Sequence, residues 1–140
     1  MRLAADEARR RFATARVAHL ATITSDGRPH LVPMTFAVED DTIFSIVDAK
    51  PKASPDLARL RNMRGNPRVA VLVDEYGDDW DGLWWVRAEG RASVAEEGSD
   101  RERALELLRA KYPQYADPSV RFGAATIIQV DLWVGWAARG

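Results

Sequence analysis

The feature that most constrains the fold of this chain is a pair of alternating segments near its start. Residues 17–25 and 28–38 are rich in apolar and β-branched side chains, and Asp26-Gly27 lies between them. An Asp-Gly pair between two such segments is the strongest short-range signal for a β-hairpin, since tight hairpin turns need the positive φ that glycine adopts easily. A two-residue turn here predicts that residue 25 faces residue 28, and hence that His19 faces Met34.

The second alternating segment also indicates which of its faces is buried. Successive side chains of a strand point to opposite sides, so alternate residues share a face. Pro33 has no N–H to give to a ladder, which predicts an edge strand or a bulge at that point. The face expected to form core carries the side chains of His30, Val32, Met34, Phe36 and Val38.

The rest of the chain continues as strands with a few helices. Helices are predicted over residues 4–15, 55–65 and 99–115, and further strands over 42–47, 67–76, 83–97 and 125–140, with a possible bend at Gly90. About six strands with three irregularly placed helices do not form βαβ units. Consecutive hairpins instead predict a mainly β (α+β) fold, a six-stranded antiparallel barrel with helices outside it. We expect residues 1–140 to be one domain.

Composition excludes several classes of function. The 140 residues have a net charge of −1 and no cysteine, so disulfides, thiolate catalysis and cysteine-ligated metals are ruled out. A near-neutral chain does not bind nucleic acid through its overall charge, although a basic strip with tryptophans leaves single-strand binding as a minor alternative. No apolar segment is long enough to cross a membrane, and the first residues do not form a signal peptide, so we expect a cytoplasmic protein.

One segment stands out by its charge. Between residues 48 and 68 there are six Lys or Arg residues and two acids. Lys50 and Lys52 precede the predicted helix 55–65, whose N-terminal N–H groups favour an anion, so a phosphate pocket is one interpretation. The other is a solvated helix whose basic side chains extend from an apolar stripe. Arg59 and Arg61 point about 160° apart on a regular helix, so the helix does not bring both side chains to one phosphate.

The sequence contains few residues arranged for catalysis by side chains. His19 and His30 are not partners in the predicted hairpin, and no Ser-His-Asp order, glycine-rich phosphate loop or metal-binding motif is present. The acidic residues 74–81 lack the spacing of a calcium loop and indicate a solvated loop. We therefore assign no catalytic side chain and no metal, and an enzyme would need a cofactor for its chemistry. His30 and Tyr76 remain candidate proton donors. Trp84 and Trp85, adjacent in a strand, must face opposite ways.

Several motifs carry a family resemblance that extends from about residue 15 to residue 136. "HLATITSDGRPHLVPMTF" followed by a basic segment and "LRNMRGNPRVAVLVDEY" resembles the pyridoxamine 5'-phosphate oxidase-like superfamily of FMN-binding split β-barrels. "NPRVAVLVDEY", "LWWVRAEG" and "AKYPQY" resemble its branch of oxidoreductases that use the deazaflavin coenzyme F420. The resemblance implies a homodimer with two cofactor sites at the subunit interface.

By position, the resemblance also implies a set of cofactor-binding residues. The ring would lie near the end of the first hairpin and beside the next strand, and the phosphate and acidic tail would lie near the basic segment. One departure from the superfamily is that Arg59 stands where a lysine is usual. The implied residues are Pro33, Met34, Thr35, Ser45, Ile46, Val47, Lys50, Lys52, Arg59, Arg61, Asn62 and Trp85.

Together these features predict an oxidoreductase that binds reduced F420 and passes a hydride to a small electron-poor substrate. Two alternatives remain open at this point. One is an FMN-dependent oxidase or reductase of the same fold, and the other is a non-catalytic flavin- or deazaflavin-binding protein. The substrate is beyond what fold-level kinship can name.

Overall fold

A computed structural model describes residues 1–48 and 56–139 of the chain. Within these ranges it contains three α-helices, two short 3-10 helices (Trp80–Gly82 and Pro113–Ala116) and seven β-strands. The helices are α1 (Ala5–Thr14), α2 (Asp56–Gly65) and α3 (Ser99–Lys111). The strands are β1 (Ala18–Ile23), β2 (Pro29–Met34), β3 (Ala37–Glu39), β4 (Thr42–Asp48), β5 (Arg68–Glu75), β6 (Trp84–Ala95) and β7 (Phe122–Ala137).

The strands form one antiparallel sheet rather than the predicted six-stranded closed barrel. Its order is β2-β1-β5-β6-β7-β4-β3, with β2 and β3 at the two edges. The strand count differs because the predicted strand over 28–38 is interrupted at Thr35 and Phe36, so that its two halves become separate strands. Among the described residues no hydrogen-bonded ladder joins β2 to β3, and the sheet stays open between them. Pro33 lies in an edge strand, as its missing N–H predicted.

The sheet nevertheless curls back on itself. Its two edge strands are consecutive in the chain and are connected only by Thr35 and Phe36. The three residue steps from Met34 to Ala37 span at most about 11 Å, so the end of β2 and the start of β3 must lie close together. We call this meeting point of the two sheet edges the seam.

The first hairpin has a different register from the predicted one. His19 pairs with Pro33, and His30 pairs with Thr22, one residue away from the expected partners. The loop contains three residues rather than two: the Thr24 N–H donates to the Arg28 carbonyl at 2.8 Å, and Gly27 adopts a φ of +83°. A three-residue loop with glycine in the left-handed region is the next most common hairpin connection, and it shifts all pairs by one.

The concave face of the sheet carries the core. One apolar cluster centres on Phe12 of α1 and Phe36, whose rings lie 5.0 Å apart, and it includes Leu60 and Met63 of α2. A second cluster packs α3, through Ala104 and Leu108, against β4 and β7. Helices α1 and α2 therefore pack on the inner face of the sheet. Helix α3 packs on the outer face, because Ile43 and Phe44 are adjacent in β4 and belong to different clusters. No helix among the described residues is both long and apolar enough to span a membrane.

The predicted bend in β6 lies at a close approach between two strands. The register with β7 shifts between Glu89, which pairs with Leu132, and Gly90, which pairs with Val130. A Cβ atom on Gly90 would lie 2.1 Å from the main-chain oxygen of Gln129. Glycine is thus required here because the neighbouring backbone occupies the space of a side chain.

Candidate functional site

A small polar pocket lies at the seam of the sheet. It has a volume of about 150 Å3 and draws its walls from β2, β4, α2 and the 3-10 helix after α3. The seam positions these elements because the end of β2 turns there towards β3, and β4 is the hydrogen-bonded neighbour of β3. The pocket is lined by Pro33, Met34, Thr35, Ser45, Ile46, Asp48, Arg59 and Tyr115.

Hydrogen bonds fix the connection between β2 and β3 at the pocket. The buried Ser45 hydroxyl donates to the Thr35 carbonyl at 2.8 Å. The Arg59 guanidinium donates to the Pro33 carbonyl at 3.4 Å, and the Thr35 and Tyr115 hydroxyls lie 2.5 Å apart. Next along the chain, the Phe36 N–H donates to the Tyr112 hydroxyl at 3.2 Å. Side chains thus hold a stretch of backbone that no strand ladder holds.

The charges in the pocket are balanced among the described residues. Arg59 is its cation and Asp48 its anion. A guanidinium binds phosphate or carboxylate well, but the nearby carboxylate of Asp48 opposes the binding of a second anion. Preference for a phosphate would therefore need more positive charge than Arg59 provides. Lys50 and Lys52, the predicted donors that follow Asp48 in the chain, lie outside the described residues.

Six of the predicted residues meet in this pocket, and four described ones do not line it. Arg61 is exposed and lines a separate pocket of about 370 Å3, between the end of α2 and the first hairpin loop. Asn62 also borders that pocket, but its amide is buried and donates to the Thr22 hydroxyl at 3.1 Å, which ties α2 to β1. Arg59 and Arg61 lie in different pockets, as their angular separation on the helix suggested.

The other two residues outside the pocket are Val47 and Trp85. Val47 packs against the main core, with its Cβ 3.4 Å from where a Cβ on Gly123 would lie. Trp85 lies on the convex face of the sheet, where the Arg87 guanidinium stands 5.5 Å from its ring centroid. Its neighbour Trp84 faces the other way, and the Trp84 indole donates to Glu75 at 3.0 Å. The two tryptophans thus point to opposite sides, as predicted.

Asp48 and Tyr115 also line the pocket, and the sequence did not predict either residue. A signal for Asp48 was available, because it is two residues beyond Ile46 on the same strand and alternate residues share a face. Tyr115 lies in "AKYPQY", and its sequence distance of 80 residues from Thr35 gave no indication that they meet. Only the packing of α3 against β3 and β4 brings this tyrosine to the pocket.

No cluster suited to metal or acid–base chemistry was found among the described residues. No group of three or more His, Asp or Glu side chains there could hold a metal ion. Neither candidate proton donor lines the pocket: His30 is half-buried on β2, and Tyr76 is exposed beside Trp85. Behind the pocket, burial raises the pKa of the Tyr112 hydroxyl, which therefore stays protonated and keeps its bonds to the backbone.

The fold is thus a curled antiparallel sheet with a polar pocket where its two edge strands meet. Residues 4–134, most of the chain, match the protein family described as pyridoxamine 5'-phosphate oxidase. The chain belongs to this family.

Solved structures agree with this assignment of the fold. An FAD-binding protein from Mesorhizobium loti is 24% identical, with a TM-score of 0.75 over 96% of this chain and 93% of that one. A conserved hypothetical protein from Mycobacterium tuberculosis is 28% identical, with a TM-score of 0.77 over 97% and 86%. An FAD-binding protein from Mycobacterium smegmatis is 16% identical, with a TM-score of 0.67 over 97% and 98%. No functionally curated protein matches the chain.

Proposed function

We propose that this protein is an oxidoreductase that binds reduced coenzyme F420 at the seam pocket. A hydride would pass from the coenzyme to a small, electron-poor organic substrate. The FMN-dependent oxidase or reductase of the same fold and the non-catalytic flavin- or deazaflavin-binding protein are the alternatives to be tested against it.

The observation that carries this proposal is the convergence of predicted ring-binding residues with one predicted phosphate-binding residue, Arg59, in one pocket. Pro33, Met34 and Thr35 come from β2 and its continuation, and Ser45 and Ile46 come from β4. Arg59 of α2 lines the same pocket and supplies its cation. Main chain, two hydroxyl side chains and a guanidinium suit a ligand with a flat polar ring and an anionic arm.

The family and two of the similar structures support a flavin-type coenzyme in general. The Mesorhizobium and Mycobacterium smegmatis proteins are named as FAD-binding. The choice of F420 within this group rests on the motifs shared with the deazaflavin branch and on the basic segment over residues 50–68. An acidic coenzyme tail suits that segment better than an uncharged ligand does.

The residues of the pocket fit a reaction in which the coenzyme brings the chemistry. A bound reduced deazaflavin supplies a hydride, so no strong base or nucleophile is required of the protein. Thr35 and Ser45 contribute hydroxyl and main-chain groups that orient the ring edge, and Arg59 holds an anionic group. The apolar side chains of Met34 and Ile46 exclude water from the reacting atoms.

The size of the pocket supports the proposal that a second copy of the chain completes the site. Pockets that enclose a drug-sized ligand have volumes of about 300–1,000 Å3, whereas this one has about 150 Å3. A homodimer would provide further walls.

The convex face of the sheet is the surface we propose for this dimer. Leu72 on β5 is 37% exposed, and Leu132 and Trp136 on β7 are 48% and 38% exposed, which is high for large apolar side chains on the two strands that flank β6. Between β1 and β7 lies a mostly apolar groove of about 460 Å3. Extended apolar patches of this kind mark interaction sites.

Titration with both coenzymes tests the function. Quenching of tryptophan fluorescence by F420 and not by FMN supports the proposal, whereas the reverse preference supports the FMN alternative. Turnover of reduced F420 against a panel of quinones and enones then separates the enzyme from the carrier. If neither F420 nor FMN binds at tens of micromolar, both enzyme hypotheses are refuted, and so is the flavin- or deazaflavin-binding protein.

A further inference from the structure

Tyr115 is the pocket residue with no assigned role. It belongs to the 3-10 helix Pro113–Ala116, and its hydroxyl lies 2.5 Å from the hydroxyl of Thr35. Tyr115 is half-buried, and its side chain forms part of the pocket wall. The hydroxyl therefore reaches the pocket with a polar partner already beside it.

The ring of Tyr115 is held in place by other aromatic rings. It lies tilted against Tyr112, with centroids 5.6 Å apart, and edge-on to Phe122 at 5.5 Å. Tyr112 is in turn fixed by its hydroxyl, which lies 2.8 Å from the Arg16 carbonyl and 3.1 Å from the Phe36 carbonyl. Because tyrosine has only two side-chain torsions, these two ring contacts restrict the position of its oxygen.

The Thr35–Tyr115 pair has one hydroxyl hydrogen that its mutual bond does not use. Thr35 and Tyr115 each have one O–H, and either oxygen can be the donor in their mutual bond. That bond uses one of the two hydrogens, so the second remains in both arrangements. No other hydrogen bond of either hydroxyl is made to the part of the chain that the structure describes. The pair therefore keeps one donor at the pocket wall.

We infer that the Thr35–Tyr115 hydroxyl pair donates a hydrogen bond to a carbonyl oxygen or ring nitrogen of the bound coenzyme. This inference rests on the proposed function. The donor is the hydroxyl nearer the ligand, and the other hydroxyl fixes its direction. Tyr115 is a positioning residue if Thr35 touches the ring. The pair thus adds an O–H donor to the main-chain groups that form hydrogen bonds with the polar edge of the ring.

Tyr115→Phe tests the inference because it removes the hydroxyl and keeps the packed ring. The expected result is three- to tenfold weaker binding of F420 or FMN, whichever the wild type binds, as the loss of one net hydrogen bond implies. The absorption band of the bound coenzyme should also shift, because the charge distribution of the ring responds to a lost donor. Thr14→Val, which removes an exposed hydroxyl at the end of α1, should change neither quantity.

A double-mutant cycle separates this role from a structural one. Thr35→Val should weaken binding by a factor similar to that of Tyr115→Phe, and the double variant should lose little more, since the two hydroxyls act as one donor. Thr35→Ser keeps a hydroxyl and should stay near wild-type affinity. Thr35→Val also serves as the test if Tyr115→Phe does not fold.

The outcomes distinguish failure of this inference from failure of the function. If the wild type binds a coenzyme and both Tyr115→Phe and Thr35→Val bind it with unchanged affinity and spectrum, the hydroxyl pair is not a ligand donor. Additive losses in the double variant would also overturn the inference, because they would mean two independent contacts. If the wild type binds neither coenzyme, the proposed function and this inference fail together.

Discussion

Adding a single methyl group at Gly90 should destabilise the protein more than its size suggests. A Cβ there would lie 2.1 Å from the Gln129 oxygen, 2.9 Å from the Gln129 carbonyl carbon and 3.0 Å from the Val130 Cα. Optimal separations between such atoms are about 3.5–4.0 Å, so the overlap with the oxygen exceeds about 1 Å. All three atoms belong to main chain, and no side chain can rotate away to relieve the contact.

The cost follows from what must move. Strand β7 is hydrogen-bonded to β6 on one side and to β4 on the other, so a shift at Gln129 disturbs both ladders. Overpacking typically costs about 1–3 kcal/mol, and two weakened hydrogen bonds add about 1 kcal/mol each. For Gly90→Ala we expect a loss of about 3–5 kcal/mol, a large part of the roughly 5–15 kcal/mol by which domains are stable.

Urea unfolding followed by circular dichroism measures this loss. The matched control is Gly65→Ala in α2, where a Cβ would meet nothing within 4 Å and φ is not positive. The control should equal the wild type or gain about 0.4–1 kcal/mol, because alanine reduces the freedom of the unfolded chain. A Gly90→Ala variant within about 1 kcal/mol of the wild type would refute the close approach of β6 and β7.

Three further predictions concern the pocket, the convex face and pH. Arg59→Ala should weaken coenzyme binding more than Arg61→Ala, which lies in another pocket, and titrations should show a larger loss at low salt than at high salt. Leu132→Glu should convert the proposed dimer to monomers in sedimentation analysis, whereas Val17→Glu, also exposed but outside the strands, should not. Burial lowers the pKa of Lys111 from 10.5 to about 8, so unfolding takes up a proton between these values and stability rises with pH across them. In Lys111→Met this rise, measured by urea unfolding at several pH values, should be smaller; an equal rise would contradict the lowered pKa.

The sequence was a good guide wherever a single element carries the signal. The alternating segments, the apolar stripe of α2 and the bend at Gly90 all lie where periodicity and glycine placed them. The hairpin register was wrong by one residue because an Asp-Gly pair fits both a two-residue turn and the end of a three-residue loop. Local sequence does not decide between these, and the pairing with β5 on the other side of β1 also has to be satisfied.

The candidate site was predictable only in part, because it is assembled across the chain. Six of its eight lining residues were inferred by family resemblance. Tyr115 depends on how α3 packs, and no local pattern encodes that contact. The interruption at Thr35 and Phe36 was also hidden, because both residues continue the alternation of the strand. The strand stops there because its two halves, β2 and β3, pair with different strands, β1 and β4, at the two edges of the curled sheet.

The position of β7 in the sheet has a consequence for how the protein folds. β7 lies between β6 and β4, so without it the sheet divides into a four-stranded piece (β2-β1-β5-β6) and a two-stranded piece (β4-β3). It is also the last of the seven strands to leave the ribosome. Until then both pieces expose strand edges that can pair with other chains. Folding of the nascent chain therefore waits for one late segment, and premature termination before residue 122 should yield aggregates rather than a partly active protein.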